Sequence, residues 1–123
     1  MRPKQTTLTP QELEIMKLVW MRKSATVRDV YEQLRERRKI AYTTVMTMMK
    51  ILEQKQYLKK NQADRAYVYR PAQPKRQVLG DMVREFVNRV FNGSAEPLLV
   101  HLVEEHNLSR EELEEIARLR RKS

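Results

Sequence analysis

Between Thr9 and Arg70 the apolar period of this chain runs helical three times and then turns β-like twice. No other feature narrows the fold as far, because three amphipathic helices closed by one hairpin admit few arrangements around a single core. Thr9-Pro10-Gln11-Glu12 is a capping box with proline at the first helical position, and Leu13, Met16, Val19 and Trp20 follow at helical spacing to about Arg22. After Ser24 and Ala25, Thr26-Val27-Arg28-Asp29 repeats the box, and Val27, Val30, Tyr31 and Leu34 form a second stripe before the basic run Arg35 to Lys39. A third helix is predicted from about Ala41 to Lys55, with Ala41 a poor cap. Tyr57-Leu58-Lys59-Lys60 and Ala66-Tyr67-Val68-Tyr69-Arg70 are short β-like runs separated by Asn61 to Arg65, which predicts a hairpin ended by Pro71 and Pro74.

The third helix has two unlike faces. At about 100° per residue, Met48, Met49 and Leu52 fall within about 60° of Val45, while Thr43, Thr47, Lys50 and Gln54 fall opposite. Threonine is a poor filler for an exposed helix face because its branched Cβ restricts χ1, so Thr43, Thr44 and Thr47 run against local propensity. A hydroxyl that bonds phosphate or base edges, and a methyl that packs on a thymine methyl, give such a face a use in the major groove. The competing reading is a solvated helix that is merely threonine-rich.

Charge points the same way. Of the net +9, residues 1–72 carry all, with 16 Lys+Arg against 7 Asp+Glu, whereas residues 73–123 hold 9 of each. Phosphate neutralisation supplies most of the sequence-independent affinity for nucleic acid, and a basic half beside a neutral half is its footprint. A chain without cysteine has no disulfide framework, thiolate metal site or cysteine nucleophile, and neither an export signal nor a membrane-length apolar segment is evident, so a cytoplasmic location is expected. His101 and His106 are five apart and do not share a helical face; no phosphate loop or serine elbow occurs. Neither catalysis, a metal nor a cofactor is expected.

Gln73 to Lys75 read as a linker between a domain over 1–72 and a unit over 73–123. Beyond it a stripe from Val78 to Phe91 stops at Asn92-Gly93, a segment starting at Ser94 or Pro97 carries Leu98-Leu99-Val100-His101-Leu102-Val103, and Ser109 caps a last helix with Leu113, Ile116 and Leu119. Three helices in about fifty residues enclose little core. A second copy packed across a two-fold axis would cover Phe86, Val90, Phe91, Leu98, Leu99, Leu102, Val103, Ile116 and Leu119; the alternative is that these residues fold back on the N-terminal domain.

The expected class is therefore mainly α with a small β-hairpin: an N-terminal winged helix-turn-helix over 1–72 and a C-terminal three-helix dimerisation unit over 73–123. In that arrangement the third helix enters the major groove. Thr43, Thr44 and Thr47, with Met46 and Lys50, are the candidates for base contacts; Arg28, Arg37, Arg38, Lys39, Lys59, Lys60, Arg65 and the wing residue Tyr67 are placed for the backbone. A protein-interaction module whose basic face meets an acidic partner is the alternative from another class, and a small hydrolase lacks a nucleophile and base.

Leu8-Thr9, Glu12, Ile15-Met16, Trp20, Thr26 to Val30, Ala41-Tyr42-Thr43-Thr44-Val45-Met46-Thr47, Leu52, Tyr57-Leu58, Arg65 to Tyr69 and Phe91-Asn92-Gly93-Ser94 together resemble the penicillinase repressor family of the BlaI and MecI type. The resemblance spans nearly the whole chain. It implies a homodimeric winged-helix repressor on a palindromic double-stranded DNA operator, commonly at β-lactamase or penicillin-binding-protein genes. It also implies release by a membrane sensor-protease pathway that cuts within the dimerisation region. Copper-responsive relatives carry a cysteine-rich C-terminal motif that a cysteine-free chain lacks. Where antibiotic-responsive members have an Asn-Phe cleavage pair, this chain has His101-Leu102, so the cleavage step does not carry over with its residues.

Overall fold

The computed structural model describes residues 7–63 and 65–120. Along the chain come α1 (Pro10–Arg22), α2 (Val27–Leu34), α3 (Tyr42–Gln54), β1 (Leu58–Ala63), β2 (Ala66–Pro71), α4 (Lys75–Phe91), α5 (Glu96–His106) and α6 (Arg110–Arg118). Two compact units divide within α4: residues 1–79 and residues 80–123.

In the first unit the caps form as their sequence patterns require. Thr9 Oγ1 accepts from the Glu12 amide at 3.1 Å and Glu12 Oε1 accepts from the Thr9 amide at 3.0 Å. Thr26 and Asp29 make the same reciprocal pair at 3.1 and 3.0 Å at the start of α2. Each pair satisfies two backbone donors that a helix start leaves without partners. Lys23, at φ 74°, ends α1 in the left-handed region.

Ile15, Met16, Val19, Val30, Leu34, Val45, Met49 and Leu52 are fully buried. They come from α1, α2 and α3, so the core is the meeting of three apolar stripes, each such side chain contributing about 1.5–3 kcal/mol by removal from water. Leu58 and Tyr69, from the hairpin, are buried too.

β1 and β2 pair antiparallel, with Leu58 opposite Pro71, Lys60 opposite Tyr69 and Gln62 opposite Tyr67. The hairpin is longer than its composition suggests. Asn61, Gln62 and Ala63 were expected in the loop and belong to β1, leaving two residues between the strands; of these, Asp64 lies outside the described residues. Ala25, expected as plain connection, exchanges both backbone hydrogen bonds with Tyr69 at 2.9 and 2.8 Å. The expected linker also shortens. α4 begins at Lys75, and Trp20 Nε1–H donates to the Gln73 carbonyl at 3.2 Å.

In the second unit, Ser109 and Glu112 form a capping box at the start of α6 at 3.1 and 2.8 Å. Phe91 meets Phe86 edge-on at 5.9 Å and lies 6.1 Å from the His101 ring. No residue of α5 or α6 is buried.

Candidate nucleic-acid interface

α3 exists in spite of its composition. Ala41 provides no side-chain cap, and the first turn holds two β-branched residues. Packing supplies what propensity does not: Val45, Met49 and Leu52 are buried and Met48 half-buried, while Thr43, Thr44, Met46, Thr47 and Lys50 are exposed. The faces fall as the helical spacing predicts.

Both ends of this helix are pinned. At the start, the Tyr42 ring meets the Tyr31 ring of α2 edge-on at 5.4 Å. The Arg28 guanidinium lies 5.8 Å from the Tyr42 ring centre and that of Arg35 lies 5.5 Å from the Tyr31 ring centre. Near the other end, Lys55 Nζ donates to both oxygens of Glu12, at 2.8 and 3.0 Å. Glu12 is the buried charged residue of the core and also the returning half of the α1 capping box. Gln56, at φ 72°, then turns the chain into β1.

The expected phosphate-facing cations divide into exposed and held. Lys39, Lys59 and Arg65 are exposed. Arg37 and Arg38 share the Glu14 carboxylate of α1, at 3.3 and 2.7 Å. Arg28 and Arg35 both reach Glu32 at 3.4 Å. Lys60 shares the hairpin face of Leu58 and Tyr69, pairs with Glu53 at 3.6 Å and stands 4.5 Å over the Tyr67 ring. Arg70 is opposite Lys59 in the register, and both are exposed.

Sequence reasoning passed over Tyr31, Tyr42, Glu14, Glu53 and Arg70. Arg70 was legible from strand pairing, since the register sets it opposite the candidate Lys59. The carboxylates were not, because their partners lie 7 to 24 positions away and only the fold brings them together.

Asp29 and Tyr69 are displaced from their ordinary ionisation. The Thr26 amide bonded to the Asp29 carboxylate holds it below its ordinary value against the opposing effect of burial, with the Thr26 hydroxyl and Arg22 at 3.2 Å helping. Burial pushes the Tyr69 hydroxyl up, so it stays neutral beneath the hairpin.

In the second unit, Phe86, Val90, Leu99, Leu102, Ile116 and Leu119 are exposed, and Phe91, Leu98 and Val103 half-buried. His101 and Leu102 lie in the middle of α5. Among the described residues no group of three His, Cys, Asp or Glu is placed to hold a metal ion, and no helix is long and apolar enough to cross a membrane.

The penicillinase repressor family model matches residues 8–122. The transcriptional regulator BlaI of Mycobacterium tuberculosis H37Rv is 39% identical over 103 residues, covering 82% of this chain and 75% of that protein. The penicillinase repressor of Bacillus licheniformis is 28% identical over 109 residues, covering 89% and 85%. Among solved structures, the Bacillus licheniformis BlaI monomer in complex with the blaP half-operator superposes with a TM-score of 0.52 at 28% identity, covering 58% of this chain and 88% of that one. The DNA-binding domain of the repressor BlaI gives 0.54 at 27% identity, covering 60% and 90%.

Proposed function

This chain belongs to the penicillinase repressor family and is a DNA-binding transcriptional repressor; we propose that it binds a palindromic operator as a homodimer, with α3 in the major groove. The observation that carries this reading is the exposed face of Thr43, Thr44, Met46, Thr47 and Lys50 on a helix whose other face is locked into the core. Short hydroxylated side chains let the helix backbone approach the base edges closely, and a helix pinned at both ends presents them in one orientation. Lys39, Lys59, Arg65 and Arg70 hold the phosphate backbone on either side, with Arg28, Arg38, Lys60 and Tyr67 beside them. The half-operator complex of the Bacillus licheniformis relative supports binding to operator DNA.

The same reading assigns residues 1–72 to DNA binding and 73–123 to dimerisation, through the apolar side chains that α4, α5 and α6 leave in solvent. A second copy raises the effective concentration of the second half-site reader, so loss of the dimer releases the operator. His101-Leu102 stands where antibiotic-responsive relatives have their cleavage pair, so a sensor protease acting on this chain would have to accept a different pair at that bond. That bond lies within α5, so cutting requires the helix to unwind locally.

Footprinting the full chain on the DNA upstream of its own gene tests the proposal. Two protected half-sites related by a dyad, about 10 base pairs or a multiple apart, are expected. A single protected half-site at saturation contradicts the homodimer, and no preference over random duplex contradicts the repressor.

A further inference from the structure

Two carboxylates hold cations that flank the reading helix. Glu14, on α1, accepts from Arg38 at 2.7 Å and Arg37 at 3.3 Å; Glu53, on α3 itself, pairs with Lys60 of the wing at 3.6 Å. Both are tertiary contacts, unlike the pairs of Glu32, which span three or four residues along α2 and its C-terminal cap. Side-chain exposure separates them further: 21% for Glu14 and 33% for Glu53, against 48% for Glu32. Less solvent at the pair means weaker screening and a firmer hold. Lys60 has a second restraint in the Tyr67 ring beneath it.

A cation engaged by an internal carboxylate reaches a phosphate only when its pair breaks. On random duplex the backbone supplies essentially all of the attraction, so each held cation weakens binding there. On a matching site the groove contacts of α3 add free energy that offsets the broken pairs. We propose that Glu14 and Glu53 are specificity-determining residues, restraining Arg37, Arg38 and Lys60 so that these cations move onto phosphate only where α3 fits the groove. They touch no base and act through the cations they hold. The inference rests on the operator-binding reading above.

The test uses the full chain carrying Glu14→Gln, Glu53→Gln or both. Glu36→Gln is the control, since it removes the same charge from the exposed α2–α3 connection. Each is titrated over a range of salt against the duplex upstream of its own gene and against a random duplex of equal length. Relative to the control, the double variant binds random duplex about tenfold more tightly, with a salt slope steeper by up to about 0.9 per released cation. Its affinity for the upstream duplex changes less, so the ratio falls. Equal strengthening on both duplexes, or Gln variants that match Glu36→Gln on random duplex, overturns the inference. A wild-type chain that does not distinguish the duplexes overturns the operator reading and this inference with it; a discriminating wild type with an unchanged ratio in the variants overturns this inference alone. Should Glu14→Gln unfold, Glu53→Gln decides, because its pair joins the helix surface to the wing outside the core.

Discussion

Glu12 does two jobs with one carboxylate: it closes the capping box of α1 and receives Lys55 from just beyond α3. Removing its charge leaves the Lys55 ammonium without that partner and the Thr9 amide without its acceptor. Glu12→Ala is therefore expected to destabilise the fold by roughly 3 kcal/mol, combining the loss of a largely buried charge pair with that of a cap. Chemical denaturation checks it, and a loss below 1 kcal/mol would mean that Lys55 finds an equal partner. Asp29 gives a pH signature. Its folded carboxyl titrates below 3.8, so its contribution is present above that pH and is lost as pH falls through the lowered value. The gap in thermal midpoint between wild type and Asp29→Asn should be widest above pH 4 and close in more acid solution. Half of this residue-scale picture was legible. The Thr9–Glu12 and Thr26–Asp29 boxes are local patterns, whereas the Glu12–Lys55 bridge joins positions 43 apart and leaves no trace in spacing.

At the scale of elements, α3 is the instructive case. Its amphipathic spacing gave away its faces, and its start at Tyr42 after an uncapped Ala41 matches the weak signal there. Ala41 already has the extended φ and ψ of an N-cap, so Ala41→Ser should add the missing bond and stabilise the domain by about 1 kcal/mol, read as a raised midpoint in denaturant. The hairpin was harder to bound. Asn61 and Gln62 look like turn residues by composition, yet opposite Val68 and Tyr67 their backbones are paired, and pairing rather than propensity decides strand length. The Ala25 bridge to Tyr69 was invisible for the same reason: it depends on where the loop is carried by its neighbours.

At the scale of the whole molecule, the uneven charge and the two compact units describe one division of labour. Residues 1–79 carry 18 Lys+Arg against 7 Asp+Glu and residues 80–123 carry 7 against 9, so the unit proposed to bind DNA is the basic one, and the other leaves apolar helix faces in solvent. If those faces join two copies, Phe86→Asp shifts the full chain toward monomer in sedimentation and lowers affinity for the upstream duplex by on the order of 100-fold, leaving random-duplex binding much less affected. Unchanged sedimentation would remove Phe86 from the interface. In the proposed division of work on DNA, the threonine face of α3 reads and the exposed cations hold. Its most direct test is the ratio of upstream-duplex to random-duplex affinity for wild type, Thr47→Ala and Lys39→Ala at one salt concentration. Thr47→Ala is expected to lower this ratio about tenfold with little change on random duplex, and Lys39→Ala to weaken both duplexes alike. Two variants that lower both affinities equally would contradict it.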